Sequence, residues 1–274
     1  MTDIALVTGT SSGMGLQAAV ALARQGLTVV ATMRDTGRAA ALLEAAAAAG
    51  VQLDVRALDV TDEAGAAACV DAVLRDHGRV DVLVNNAGRG CVGTAEQLDM
   101  DTVRDQLEVN YLGVVALTKL VLPGMRERGH GRVVTVTSVG GAVGQPFADA
   151  YCGAKFAVEG FMQSLAVVAE RFGVWVSVIE PAAVASDFVA NVQRRDDADD
   201  PYSALFAAYL ARTQGAFANA QSAGDAGAAI AACATATSYA FRWQTSPGAT
   251  AFVGMSLADL DGERVLGATR TWIA

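Results

Sequence analysis

Thr8-Gly9-Thr10-Ser11-Ser12-Gly13-Met14-Gly15 stands between a β-branched run at residues 4–8 and an Ala- and Leu-rich segment at residues 16–25. A glycine pattern by itself says little, because any tight turn can use glycine. Its position says more. Between a buried parallel strand and the first turn of a helix, three missing side chains let a diphosphate reach backbone N–H groups, and the helix dipole favours its negative charge. The stretch reads as the phosphate-binding turn of a dinucleotide site.

Outward from this turn the same alternation continues. Strand-like runs at residues 4–8, 27–32, 51–58, 80–84, 132–137 and 174–179 are apolar at nearly every position, as strands covered by helices on both faces must be. Helical segments at residues 16–25, 39–49, 63–76, 102–127 and 151–172 separate them, the period of a parallel sheet with crossover helices. One more strand is expected at residues 240–244, with a terminal helix or two beyond it. The expected fold class is α/β: a single doubly wound Rossmann domain, residues 1–274, with a parallel sheet of about seven strands between two helical layers. After Pro181 the pattern breaks. Arg194-Arg195-Asp196-Asp197 and Asp199-Asp200 are too polar for a core, so residues 182–222 read as a substrate lid, with an ordinary solvated loop as the other reading. Residues 239–274 form a C-terminal extension.

Of 274 residues, 53% are hydrophobic and 18% charged, which excludes a disordered chain. The 20 Lys and Arg against 29 Asp and Glu leave a net charge of −9, which repels phosphate backbones and anionic lipid; neither nucleic acid nor a membrane is an expected partner. Cys69, Cys91, Cys152 and Cys233 are far apart and form no C-x-x-C, so neither a metal site nor a disulfide framework is expected. The first apolar run is too short for a signal peptide and no uninterrupted run reaches ~18 residues, so the expected location is cytoplasmic. His77 and His130 lie outside every motif and are expected to be exposed.

At the glycine turn the sequence resembles the short-chain dehydrogenase/reductase family, whose main branch carries Thr-Gly-x-x-x-Gly-x-Gly. Further matches stand in family order at Asp59-Val60, Asn85-Asn86-Ala87-Gly88, Asn110, Ser138 and Tyr151-x-x-x-Lys155, so the resemblance covers most of the chain. It implies that Gly9, Ser11, Gly13, Met14 and Gly15 line the diphosphate, Asp59 and Val60 the adenine, and Asn86, with Ala87 and Gly88 beside it, the adenosine ribose side. Pro181, Val184 and Ser186 would meet the nicotinamide end together with Tyr151 and Lys155. The sequence departs from the family at Ala182, where glycine is usual, and at Ser186, where threonine is usual. Serine keeps the hydroxyl, but Ala182 takes a left-handed backbone less freely than glycine.

Tyr151 and Lys155, four residues apart, share one helix face about a turn from each other. An isolated tyrosine, with a pKa near ~10, is a poor acid or base at neutral pH, whereas a nearby ammonium and an oxidised nicotinamide both favour its phenolate. Most Tyr-x-x-x-Lys pairs are ordinary surface residues. Here Ser138 lies thirteen residues upstream at the carboxyl end of an expected strand, where open parallel sheets hold their ligands. Its hydroxyl can hold a substrate oxygen against Tyr151. A short amide such as Asn110 inside a helix usually faces solvent; the resemblance implies instead that it holds a water in a proton relay through Lys155. The implied reaction is reversible hydride transfer between nicotinamide C4 and a carbonyl or carbinol carbon, with Tyr151 exchanging the proton and no metal. The alternative is a non-catalytic NADP(H)-binding redox sensor, which typically lacks the tyrosine or lysine; all four catalytic positions are filled here.

An acid about eighteen residues past the last loop glycine would accept both ribose hydroxyls and repel a 2′-phosphate. That place holds Met33. Arg34 follows, its planar guanidinium suited to a phosphate, and Ser12 can add a hydrogen bond, so NADP(H) is expected over NAD(H). Asp35 either reaches the ribose or caps the helix that follows. Residues 138–147 and 151–160 look like the 17β-hydroxysteroid and retinol dehydrogenase-like branch. That implies an apolar wall of Val139, Val143, Pro146 and Phe147 beside Ser138 and Tyr151, suited to a bulky lipophilic carbonyl or its alcohol. Estrogen-type members anchor a distal hydroxyl with a lid histidine, and none occurs after His130. The segment at residues 156–168 is apolar around most of its circumference. Related enzymes pair this helix and the preceding one across a two-fold axis, so a homodimer or homotetramer is expected.

Overall fold

Successive residues of a strand point to opposite faces, and in this chain both faces are apolar. Leu6, Leu83, Val133 and Val176 fill one core with Leu117, Val121 and Val158, while Val7, Val84, Val134 and Ile179 fill a second with Leu16, Leu22 and Ile230. The computed structural model describes residues 2–185, 200–218, 220–258 and 271. Its strands are β1 (Ile4–Thr8), β2 (Thr28–Met33), β3 (Asp54–Ala57), β4 (Val82–Asn85), β5 (Gly131–Val136), β6 (Val174–Glu180), β7 (Val184–Ala185), β8 (Gln221–Ser222) and β9 (Arg242–Gln244). Seven form one parallel sheet in the order β3-β2-β1-β4-β5-β6-β9, and β7 pairs with β8 apart from it.

The helices are α1 (Gly13–Arg24), α2 (Ala40–Ala48), α3 (Glu63–His77), α4 (Met100–Leu107), α5 (Gly113–Arg128), α6 (Asp149–Glu170), α7 (Ser203–Ala218), α8 (Ala223–Thr235) and α9 (Pro247–Leu257). The path leaves β1 toward β2 and β3, then crosses back to β4 on the other side, so the carboxyl ends of β1 and β4 flank the crevice where such sheets bind ligands. α8 lies on α1 at backbone distance: a Cβ at Gly227 would stand 2.8 Å from Ala18 N.

The doubly wound sheet and its seven strands match the sequence expectation. The strand expected at residues 51–58 is shorter, and the helix expected at residues 102–127 is interrupted by a π turn at Glu108–Leu112. By length and composition alone, Met100–Arg128 could cross a membrane, yet its Val114, Leu117, Val121 and Met125 belong to the core. β9, within the strand expected at residues 240–244, joins the main sheet beside β6. The described parts of residues 182–222 hold β7, α7 and β8; the Arg194 to Asp199 charges lie outside the described residues. His77 is not exposed as expected. It ends α3 half-buried, with Nε2 2.9 Å from Asp54 Oδ2, because that carboxylate also pairs with Arg56 and draws the end of α3 onto β3.

Candidate active site

The glycine turn is locked to the turn after β4. Gly9 and Gly13 hold left-handed backbones, φ +70° and +60°, which glycine adopts without steric cost. A Cβ at Gly9 would lie 2.8 Å from Ala87 Cα, and one at Gly15 would lie 2.2 Å from Asn86 Nδ2. Thr8 Oγ1 accepts the N–H groups of Asn86 and Ala87, both at 3.0 Å. Asn86 Nδ2 donates to Thr8 O at 2.9 Å and Gly9 O at 3.0 Å, so this amide braces the turn. α1 starts after Ser12 with no side-chain cap and no acid in its first turn, whereas α3 and α4 are capped by Asp62 and Asp99. Gly13, Met14 and Gly15 thus present an uncapped, side-chain-poor helix start, and Ser11 and Ser12 are half-buried beside it. The cradle fits a dinucleotide diphosphate.

At the end of β2, Met33 is buried and Arg34 exposed. The Asp35 carboxylate accepts Gly37 N–H at 2.9 Å and caps a short 3₁₀ turn, Thr36–Arg38. Arg38, a second exposed guanidinium on this turn, was not singled out by the sequence because no motif marks it. Burial pulls the Asp59 carboxyl up, but hydrogen bonds from Thr61, with Arg34 and Arg89 nearby, outweigh it and leave the group below its ordinary range. Val60 is buried against Gly113.

The four catalytic candidates converge at the carboxyl ends of β4 and β5. Lys155 is buried, its Nζ donating to Val136 O at 3.1 Å and standing 5.8 Å from the Tyr151 ring centroid. Burial lowers its pKa to about 8, and Glu159 pulls the other way. Burial pushes the Tyr151 phenol up, and a hydrogen bond from Ser138 draws it back. Ser138 Oγ accepts Gly140 N–H at 2.9 Å within the 3₁₀ turn Val139–Gly141, and Val139 N donates to Pro181 O at 3.0 Å. Asn110 sits in the π turn, a feature frequent at functional sites. It does not face solvent: it is 1% exposed, and its Nδ2 donates to Arg89 O at 2.9 Å and Gln106 O at 3.1 Å. A Cβ at Gly88 would stand 2.9 Å from Asn110 Oδ1 and 3.7 Å from Lys155 Nζ, so the three meet there.

Val139 and Val143 are buried with Ala142 beneath Ala249 and Val253 of α9, with Ala182 and Phe252 packed alongside. Phe147 is buried against Phe206 and Tyr209 of α7, ring centroids 5.2 and 5.4 Å away. Pro146 is half-buried. Among the described residues Phe147 is the one non-glycine at positive φ, so Ala182 needs no left-handed backbone. Pro181 and Val184 are buried; Ser186 and Asp187 lie outside the described residues. Among the described residues no cluster of His, Cys, Asp and Glu is arranged to hold a metal.

One buried polar group escaped the sequence reading. Glu159, one turn after Lys155 on α6, lies 2.5 Å from Thr137 Oγ1, and its Oε2 lies 2.9 Å from Arg242 Nη1. Arg242 also pairs with the wholly buried Glu180, which takes a hydrogen bond from Gln244. Burial pushes the Glu159 carboxyl up to about 7, against the pull of Thr137 and Arg242.

Known proteins resemble this chain in sequence and fold. The short chain dehydrogenase family model matches residues 3–197. Human retinol dehydrogenase 8 is 43% identical over 187 residues, covering 67% of this chain and 59% of that protein. Human 17-beta-hydroxysteroid dehydrogenase type 1 is 45% identical over 195 residues, 69% and 59% of the two chains. The matched part thus spans about three fifths of these relatives. The structure of an actinorhodin polyketide ketoreductase variant with NADPH superposes with a TM-score of 0.76 at 30% identity, covering 90% of this chain and 97% of that one. A dinucleotide turn joined to a Ser-Tyr-Lys-Asn cluster stands on this sheet, and the chain belongs to the short-chain dehydrogenase family. Within it, the chain is a member of the hydroxysteroid and retinol dehydrogenase-like group.

Proposed function

We propose that this chain is an NADP(H)-dependent enzyme that interconverts a bulky lipophilic ketone or aldehyde and its alcohol, with Tyr151 as the proton-exchanging residue. The carrying observation is the buried Lys155 ammonium, anchored on Val136 O behind a phenol that Ser138 contacts. A bound nicotinamide would supply the hydride acceptor or donor at its C4. Gly9, Ser11, Gly13, Met14 and Gly15 would hold the diphosphate, with Asp59 and Val60 at the adenine. Ser138 orients the substrate oxygen, and Tyr151 gives it a proton during reduction or removes one during oxidation. A phenol raised by burial rests neutral and suits the donor role; Lys155 stabilises the phenolate that the donor role leaves behind. Asn110 orders the far end of the relay at Gly88 and Lys155.

NADP(H) is favoured over NAD(H) because Arg34 is exposed at the end of β2, while Asp35, next to it in sequence, is engaged as a cap. The names of the relatives support a bulky lipophilic substrate, while Val139, Val143 and Phe147 are themselves covered by α9 and α7. Exposed Leu112 in the turn that enters α5, with Phe156, Val167 and Val168 on α6, supports a homodimer or homotetramer, and four unpaired cysteines suit the cytoplasm. Initial rates over a panel of ketones and alcohols with both cofactors test the reading. Turnover is expected with NADPH and bulky apolar ketones; uniform preference for small polar ketones contradicts the substrate class, and tight NADPH binding without turnover points to a sensor.

A further inference from the structure

The Thr137 hydroxyl has one proton and two oxygen neighbours. Ile179 O lies 3.0 Å away and Glu159 Oε1 2.5 Å away. A carbonyl oxygen only accepts. If Thr137 donates to a Glu159 carboxylate, two lone-pair oxygens face each other across 3.0 Å; if it donates to Ile179, two face each other across 2.5 Å. Both contacts are satisfied only when the carboxyl brings its own proton.

The surrounding charges agree. Arg242 Nη1 lies near Glu159 Oε2, but no N–H is aimed at that oxygen; the guanidinium directs its hydrogen bond to Glu180, which Gln244 also contacts. The other nearby cation, Lys155, is aimed at Val136 O, and among the described residues no carboxylate lies within 4.0 Å of it. The titratable and charged groups facing Glu159 are therefore Lys155 on its own helix, Glu180 on β6 and Arg242 on β9. An ionised Glu159 would be a desolvated anion whose one close cation is already engaged.

We propose that Glu159 carries a proton in the resting enzyme and is a positioning residue, donating that proton to Thr137 and so holding the Ser138 turn against the Lys155-bearing helix. Thr137 immediately precedes Ser138, and a Cβ at Gly141 in the same turn would stand 2.8 Å from Glu159 Cγ. When Glu159 loses its proton, Thr137 must turn toward the carboxylate and release Ile179 O. A negative charge then arises one helical turn from Lys155, favouring the ammonium and disfavouring the Tyr151 phenolate.

The test uses the intact protein and the isosteric, uncharged Glu159→Gln. In the infrared, the parent at about pH 6 is expected to show a protonated-carboxyl C=O stretch that is missing from the variant and fades by about pH 9. No such band at the lower pH overturns the proposal. Thr137→Val keeps the acid but removes its acceptor and is expected to move the band; an unmoved band overturns the contact with Thr137. These arms need neither cofactor nor substrate, so they fail or succeed independently of the function proposed above. In alcohol oxidation, the alkaline rise in rate is expected about one pH unit lower in Glu159→Gln than in the parent, since no charge develops beside Lys155. Superimposable profiles overturn the link to the catalytic unit.

Discussion

Gly15→Ala tests whether the glycine turn and the turn after β4 are one interlocked unit. The new methyl falls 2.2 Å from Asn86 Nδ2 and 2.3 Å from Gly9 O. The amide can swing aside, but it then gives up its hydrogen bonds to Thr8 O and Gly9 O, each worth roughly 0.5–1.5 kcal/mol. Gly9 O belongs to backbone held at φ +70°, so relief there requires the chain itself to move, and overpacking of that kind costs about 1–3 kcal/mol. Alanine returns at most about 1 kcal/mol through helix propensity. The balance is a loss of about 3 kcal/mol, read as a lower urea midpoint at unchanged slope. Because the same turn would hold the diphosphate, NADPH affinity measured by fluorescence titration should fall by at least about tenfold. Gly254→Ala in α9, where an added Cβ meets nothing within 4 Å, is the matched control and should stabilise by up to about 1 kcal/mol. A Gly15→Ala midpoint at or above that of the parent refutes the interlock.

Tyr151→Phe removes the phenol hydroxyl and with it the exchangeable proton while keeping the ring, so turnover should fall by at least about 10²-fold with the NADPH dissociation constant within a few-fold, whereas Lys155→Ala should damage both; a near-normal rate for the phenylalanine variant sinks the mechanism. Arg34→Ala should weaken NADPH by roughly 1.5–3 kcal/mol and spare NADH, and equal catalytic efficiency with the two cofactors in the unmodified protein contradicts the assignment. Glu159 is raised from 4.5 to about 7 by folding, so the folded chain holds this proton more tightly than the unfolded chain. Its favourable contribution is complete below about pH 4.5 and is lost as pH rises to about 7, an effect of about 3 kcal/mol. Glu159→Gln should therefore gain on the parent across that window and hold a constant difference above it; urea midpoints with a constant difference throughout rule this out. Phe156→Glu with Val168→Glu should shift light scattering to the 28.1 kDa monomer, and a parent protein already monomeric at micromolar concentration removes the basis for that expectation.

What could be read from the sequence was what is written locally. The central strands announce themselves because both of their faces are buried, and Tyr151 and Lys155 because one helical turn separates them. α8 was not legible for a physical reason. Gly227 lies against Gln17 and Ala18 of α1 among the buried small residues Ala226, Ala231 and Ala234, and a run of small residues shows no contrast between faces. The π turn has no sequence signal beyond an amide in an unfavourable mid-helix position. Glu159, Glu180 and Arg242 share no sequence motif, since 62 residues separate the acid of β6 from its partner on β9. Spacing cannot reveal a pair that only the sheet order brings together.

The seating of α8 on α1 also constrains how the molecule can be made. At ribosomal rates of about 5–20 residues per second, some 10–40 seconds pass between synthesis of the first helix and of the one that covers it. During that interval Leu16, Val20 and Leu22 have β1 and β2 to lean on but lack Ile230, their later neighbour in the same core. Arg242 arrives later still, so Glu180 has no cation until nearly the whole sheet is assembled. A nascent chain paused before residue 223 should therefore be a chaperone client with an open dinucleotide half, and its catalytic end should be the last part to acquire protection from hydrogen exchange.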